Sequence, residues 1–391
     1  MKKGWKTKKL GDVCDFEGGS QPPKSQFVYE ERPGYVRFLQ IRDFGSDKNV
    51  TFIPQSKKNR LCVESDILIG RYGASVGKIL TNKAGAYNVA LMKTIPNLDV
   101  FNHSWFYSYL VSDEFQSRLL NVADRSAQAG FSKDDIYNFP VPVPPLPEQQ
   151  RIVGILDKAF DGIAKARANA EQNLQNARAL FESHLQSVFT QCGEGWVDST
   201  IGSEIKFIDY RGKTPVKTPS GVRLITAKNI KMGYIQETPM EFIASASYKS
   251  WMTRGIPQKG DVLFTTEAPL ANVAQLDTDE KVAFAQRIII MQPNAAILDS
   301  TFLKFLLLSQ PVQQRIRMKG TGATVQGIKA SLLKTIEISF PKSLTEQVRI
   351  VAKLDELSDE TQRLESLYQR KLAALDELKK SLLHQAFSGM L

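Results

Sequence analysis

The sequence predicts an α+β chain: two mixed α/β domains separated by two long antiparallel coiled-coil helices, arranged as a pseudo-two-fold tandem repeat. Three observations predict it. First, Glu148-Gln149-Gln150-Arg151-Ile152-Val153 returns as Glu346-Gln347-Val348-Arg349-Ile350-Val351. The offset then holds, because Leu156-Asp157 matches Leu354-Asp355, and Ser183-x-Leu185-x-x-x-Phe189 matches Ser381-x-Leu383-x-x-x-Phe387. An unbroken offset over about forty residues means two helices of one length built on one apolar seam. Second, a weaker repeat runs upstream through drifting offsets. It pairs Gly4-Trp5 with Gly195-Trp196, Gly19-Ser20-Gln21-Pro22 with Gly212-Lys213-Thr214-Pro215, and Asp66-Ile67-Leu68-Ile69 with Asp261-Val262-Leu263-Phe264. Apolar and glycine positions survive while polar ones differ, so one scaffold carries two different surfaces. Third, the net charge of +10 is unevenly placed. Residues 1–146 hold 20 Lys/Arg against 15 Asp/Glu and residues 193–343 hold 19 against 13. The stretches 147–192 (5 against 5) and 344–391 (7 against 8) are close to neutral. Two basic bodies on neutral rods suit a polyanion gripped at two places.

The elements follow in chain order. Residues 1–146 form the first domain, with short apolar runs at Val36–Ile41, Ile67–Ile69 and Val89–Ile95 as strands and His103–Asn121 as a helix. Phe139-Pro-Val-Pro-Val-Pro-Pro-Leu-Pro147 reads as an extended, polyproline-like connector, and Pro147 suits the first turn of the helix that follows. That helix, 147–192, has its seam at Ile152, Leu156, Ile163 and Phe181, with Gly193 after it as a C-terminal cap. Residues 193–343 repeat the first domain. Ser343-x-x-Glu346 is a capping box opening the last helix, 344–391, whose seam is Ile350, Leu354, Leu357, Leu364, Leu375 and Leu382. A neutral amphipathic helix of ~43 residues, ~65 Å long at 1.5 Å per residue, cannot bury its seam alone. The two helices are therefore expected to pair with each other.

Composition excludes several classes. No apolar run is long enough to cross a bilayer, and the basic N-terminus lacks the apolar segment of a signal peptide. Cys14, Cys62 and Cys192 are scattered without a C-x-x-C pair, which predicts a reduced cytoplasmic protein without a zinc site. Gly73-Ala-Ser-Val-Gly77-Lys78-Ile79 is one residue short for a phosphate loop and has Ile79 where Ser or Thr must bind magnesium, so its glycines shape a turn. His103, His184 and His384 are too far apart for a triad or metal cluster. No adenine-methylation motif, methyl-donor loop or carboxylate–lysine nuclease cluster stands out. Recognition or assembly is the expected role, with an intact methylating or cleaving enzyme, or a coiled-coil scaffold without DNA specificity, as the competing classes.

Pro-Leu-Pro-Glu-Gln-Gln-Arg-Ile-Val (145–153) resembles the signature that follows each target-recognition domain in specificity subunits of type I restriction–modification systems. The segments 66–79 and 260–274 look like that family's mid-domain motif, and Leu-Leu-His-Gln-Ala-Phe-Ser-Gly (382–389) also fits. Ala271 departs from the pattern, standing where the motif often has Gly. The resemblance spans essentially the whole chain. It implies a non-catalytic reader of double-stranded DNA, each domain taking one half of a split, asymmetric site across an unread spacer. It also implies docking of two adenine methyltransferase subunits and of translocase–nuclease restriction subunits. The chain would hold no cofactor itself, its partners using S-adenosylmethionine, ATP and Mg2+. Base edges are read by Arg on guanine, Asn or Gln on adenine, and apolar contact with the thymine methyl. The candidates for touching DNA are therefore polar residues of glycine-rich or divergent loops. In the first domain these are Ser20, Gln21, Lys24, Arg42, Arg71, Tyr72, Ser75, Lys78, Ser126 and Gln128. In the second they are Arg211, Lys213, Thr214, Lys228, Asn229, Arg287, Thr321, Thr324 and Gln326.

Overall fold

A computed structural model describes residues 4–124, 130–210, 214–322 and 325–391. The candidates Ser126, Gln128, Arg211, Lys213 and Thr324 lie outside the described residues. The chain divides into two compact units, 1–171 with 370–391, and 172–369. Each unit therefore holds one domain together with a stretch of both long helices, rather than a domain alone.

The units repeat one plan. In the first, an antiparallel sheet has the order Cys14–Gly18, Leu91–Pro96, Leu68–Gly70, Ile79–Leu80. In the second, the order is Ile205–Asp209, Ile288–Pro293, Val262–Thr266, Leu270–Gln275. A further sheet in each is built on one parallel pair, Tyr35–Leu39 with Gly85–Tyr87 and Val222–Ile225 with Val282–Phe284. Here the copies diverge. The first adds Leu61–Cys62 beside Gly85–Tyr87, whereas the second adds Lys217–Thr218 beyond Glu241–Ile243.

Two local expectations change. The helix expected over His103–Asn121 is broken into His103–Val111 and Asp113–Ala123. Ser112 causes the break: its extended backbone (ψ 155°) ends one helix and starts the next, and its hydroxyl donates to Tyr109 O. Ser309 does the same between Ser300–Leu308 and Gln310–Lys319, where Pro311 suits the new first turn. The proline connector is also more than a strap, since Pro140–Val143 pairs antiparallel with Lys6–Lys9. Its prolines alternate with valines. The missing N–H groups therefore fall on one edge, and the valine amides remain for the ladder. The second copy makes the same closure, Trp196–Thr200 against Glu337–Pro341, with a single proline at the end of the strand.

The long helices are Leu146–Thr190 and Leu344–Ser388, 45 residues each, or ~68 Å at 1.5 Å per residue. Within the first unit Arg167 pairs with Asp376 and Lys379 lies over the Phe160 ring, so numbers rise on one helix as they fall on the other. Within the second unit Arg178 pairs with Glu365. The second unit's core also joins Leu354 to Leu185 and Phe189, so there too numbers rise on one helix as they fall on the other.

The repeated residues explain why helix and domain form one core. Ile152 and Leu156 join Leu383, Ala386 and Phe387 in the first core, and Leu354 joins Leu185 and Phe189 in the second. The Phe of each Ser-x-Leu-x-x-x-Phe motif and the Trp of each Gly-Trp pack on one shared aromatic ring of the domain. Phe387 and Trp5 flank Trp105 at 4.5 and 5.8 Å, while Phe189 and Trp196 flank Phe302 at 5.3 and 6.0 Å. The seam correction is local. Ile163, Phe181, Ile350, Leu357, Leu364, Leu375 and Leu382 are only half-buried. Leu383 takes the buried place next to Leu382, because the last helical turns face the domain as well as the neighbouring helix.

Candidate DNA interface

The signature that opens each long helix holds its domain by one buried amide. Gln149 is fully buried; its Oε1 accepts from Asn102 N (2.7 Å) and its Nε2 donates to Val100 O and Pro144 O (both 2.8 Å). Gln347 repeats this with Asp299 N, Ile297 O and Pro341 O at 2.8, 2.8 and 2.7 Å. A second staple ties the mid-domain hairpin to the helices beside it. Gln116 Nε2 donates to Gly77 O and Leu110 O, as Gln313 Nε2 donates to Ala271 O and Leu307 O. Sequence reasoning used the glutamine at 149 and 347 as a marker and missed its task. Its identity in both copies, at a helix start otherwise rich in charge, was the available signal.

This equivalence places Ala271 where the first copy has Gly77. Both are left-handed, φ +66° and +80°. The turn therefore survives an alanine, and the alanine carries a strain on the order of 1–2 kcal/mol. The Gly73–Lys78 segment is the hairpin's own turn, closed by Gly77 N to Gly70 O (3.0 Å) and Gly70 N to Lys78 O (2.9 Å). That agrees with its reading as a turn.

Each hairpin carries the candidate surface on its approach to the turn. In the first domain Ser20 bridges Asn88, Arg71 N donates to Ala90 O (2.9 Å), and Tyr72 bridges Gly130. These contacts bring Ser20 and Arg71 to residues 88–90, and Tyr72, next to Arg71, to Gly130. The Arg71 guanidinium lies 5.0 Å from the centroid of the exposed Tyr72 ring, and its Nε donates to Phe131 O (3.3 Å). In the second domain a cleft of about 400 Å3 is lined by Thr266, Glu267, Gln286, Arg287, Thr321 and Lys329, among others. Arg287 and Thr321 were expected there. Glu267, Gln286 and Lys329 were missed, since nothing in the sequence links 267, 286 and 329 until the strands are paired.

Arg287 stands out energetically. Its backbone is left-handed, φ +78°, which costs a non-glycine residue on the order of 1–3 kcal/mol. Its carbonyl accepts from Thr266 N (2.9 Å), and its Nε lies 3.0 Å from Glu267 Oε1, with 44% and 45% of the two side chains exposed. An ion pair so exposed returns only about 0–1 kcal/mol. The ion pair by itself does not offset that cost, and the bonds from Thr266 N and Oγ1 to the Arg287 carbonyl hold the turn as well.

Other candidates sit on other turns. Arg42 and Lys228 are exposed at matching positions, whereas Asn229 is buried. The Asn229 expectation is corrected: its Oδ1 accepts from Thr226 N and Oγ1, and its Nδ2 donates to Gln236 O and Pro239 O, all within 3.0 Å. It is a loop staple, matched in the first copy by buried Asp43, which accepts from Gln40 N (2.6 Å). The side-chain amide of Gln326 is turned to Arg317 O (2.8 Å). Gln21, Lys24, Lys78 and Thr214 are exposed, and Ser75 is half-buried. Burial pushes the Cys14 thiol up to about 12 and the Cys62 thiol up to about 11, so both stay protonated core residues.

The model of the type I restriction modification DNA specificity domain matches the chain twice, over residues 2–172 and 204–372. The chain is similar to the MjaVIII specificity subunit of Methanocaldococcus jannaschii, at 21% identity over 98% of this chain and 92% of that protein. It is also similar to the EcoBI specificity subunit of Escherichia coli, at 21% identity over 99% and 86%. Among solved structures, one chain from work on complex assembly and conformational transition of the type I R-M system shares the fold. Its TM-score is 0.80 at 19% identity, covering 98% of each chain. The HsdS subunit from Thermoanaerobacter tengcongensis has a TM-score of 0.60 at 19% identity, over 100% of this chain and 98% of that one. A double family match, on a fold that repeats itself down to its buried glutamines, places the chain in the family of type I restriction–modification specificity subunits.

Proposed function

We propose that the chain is the non-catalytic DNA reader of a type I restriction–modification complex, in which each domain reads one half of a split, asymmetric double-stranded site. The observation that carries this is divergence on a constant scaffold. Both domains keep the same strand order in the sheet that carries the hairpin, and the same glutamine staples, yet at one matched hairpin position Tyr72 stands in the first and Glu267 in the second. Two copies of one frame with different polar side chains at the same place suit two different short sequences. The basic excess of both domains supplies non-specific attraction to the phosphates. The long helices set the unread spacer and dock two adenine methyltransferase subunits, with translocase–nuclease subunits joining for restriction. The chemistry belongs to those partners, which use S-adenosylmethionine, ATP and Mg2+, and the complex works in the cytoplasm. Among the described residues no helix is long and apolar enough to cross a membrane.

The test is a domain exchange in the assembled complex. Residues 193–343 are replaced by the corresponding domain of a relative with a known site, and methylated adenines are mapped. One half-sequence should change and the other persist. If both halves change, or neither does, the one-domain, one-half reading is wrong.

A further inference from the structure

We propose that Arg287 reads one guanine in the half-site of the second domain, and that Glu267 is the positioning residue that aims it. Arg71 and Tyr72 divide the same work in the first domain. The proposal rests on the DNA-reader function and specifies how its sites are read.

Tyr72 and Glu267 are one position of the repeat, each bridging an antiparallel glycine, Gly130 and Gly327. A Cβ on Gly130 would come within 2.6 Å of the Tyr72 ring, and one on Gly327 within 3.2 Å of Glu267 Cβ. Glycine lets the second strand pass close beside the residue that holds the arginine. The arginines themselves sit at the ends of different strands, Arg71 just after Leu68–Gly70 and Arg287 just before Ile288–Pro293. Arg71 precedes Tyr72, while Arg287 lies where the first domain has Ala90, as the matching bonds Arg71 N to Ala90 O and Thr266 N to Arg287 O show. The sequence repeat therefore never aligns them; only the paired strands bring an arginine to the same residue in both copies.

The tethers differ in chemistry and agree in geometry. Arg71 is held by the Tyr72 face and by its Nε on Phe131 O, and Arg287 by its Nε on Glu267. Both engage the inner nitrogen, and the outer nitrogens form the fork that matches guanine O6 and N7. A carboxylate in a cleft that meets DNA repels phosphate, which is unfavourable unless it orients a cation. Lys329 lines the same cleft and supplies a positive charge for the backbone.

The experiment uses the chain assembled with its methyltransferase subunits and duplexes in which each base pair of the native site is replaced in turn. Arg287→Ala should weaken binding of the native site by about 5- to 150-fold, the range for one bidentate base contact. It should also become indifferent to one G·C pair that the wild-type complex discriminates. Glu267→Gln should lose part of the discrimination at that same pair alone. Tyr72→Leu should do so at one pair of the other half-site. Arg287→Lys, which keeps the charge, should bind DNA yet still lose that pair. Variants that discriminate every position as the wild type does would overturn the inference while leaving the reader function standing. A wild-type complex that binds all the duplexes equally would instead overturn the reader function itself.

Discussion

Replacing Gln149 by Leu tests whether the family signature is a staple rather than a contact surface. The side chain is fully buried and serves three backbone groups, Asn102 N, Val100 O and Pro144 O. Leucine keeps nearly the same volume, so the perturbation is mainly polar. Each lost partner costs about 1 kcal/mol as a missing bond, and up to about 3 kcal/mol when the orphaned group stays buried. New apolar contacts offset part of this, leaving a loss of about 3–5 kcal/mol. A unit of this size moves by about 2–4 °C per kcal/mol, so its unfolding transition should fall by about 6–20 °C. Calorimetry reads that shift, and hydrogen exchange at the Asn102 amide reads its location, because that amide loses its acceptor. A shift under ~2 °C with unchanged exchange at Asn102 would refute the staple.

Three further outcomes follow from the same geometry. Leu156→Asp together with Leu354→Asp puts a carboxylate into each core, a cost above the ~2–5 kcal/mol of a buried Leu-to-Ala truncation. Methyltransferase co-purification should be lost, and an unchanged unfolding temperature would contradict the packing described. Gly77→Ala should cost at least ~1–2 kcal/mol in denaturant unfolding, because φ is +80° and the new Cβ would meet Gln116 Oε1 at 2.6 Å; equal stability would show that the turn relaxes freely. Log affinity for DNA should fall with log salt at about −0.9 per phosphate neutralised, and binding by the isolated chain that ignores salt would count against electrostatic capture.

The sequence showed the tandem plan and the helices because repetition and 3.6-residue periodicity are local signals. The strand pairing of Pro140–Val143 was hidden, since alternate prolines look like a polyproline segment until a single partner strand is present. The break at Ser112 was hidden because apolar spacing continues through it. Site reading was weaker. Arg71, Tyr72 and Arg287 were chosen as polar loop residues, which is also why Asn229 was chosen, and only burial separates a reader from a loop staple. Glu267 was invisible as a partner because the strand pairing that brings it to Arg287 joins residues 20 positions apart.

The most direct measurement is the map of methylated adenines in cells carrying the complex, with the wild-type chain and with four residues inserted between Ala170 and Ala177. The insertion lengthens the helix by ~6 Å, between one and two base-pair steps of ~3.4 Å each. The account predicts two short sequences separated by a fixed unread gap in the wild type, and the same two sequences with a gap about one pair longer in the insertion. A continuous motif, or altered half-sequences at unchanged spacing, would contradict it.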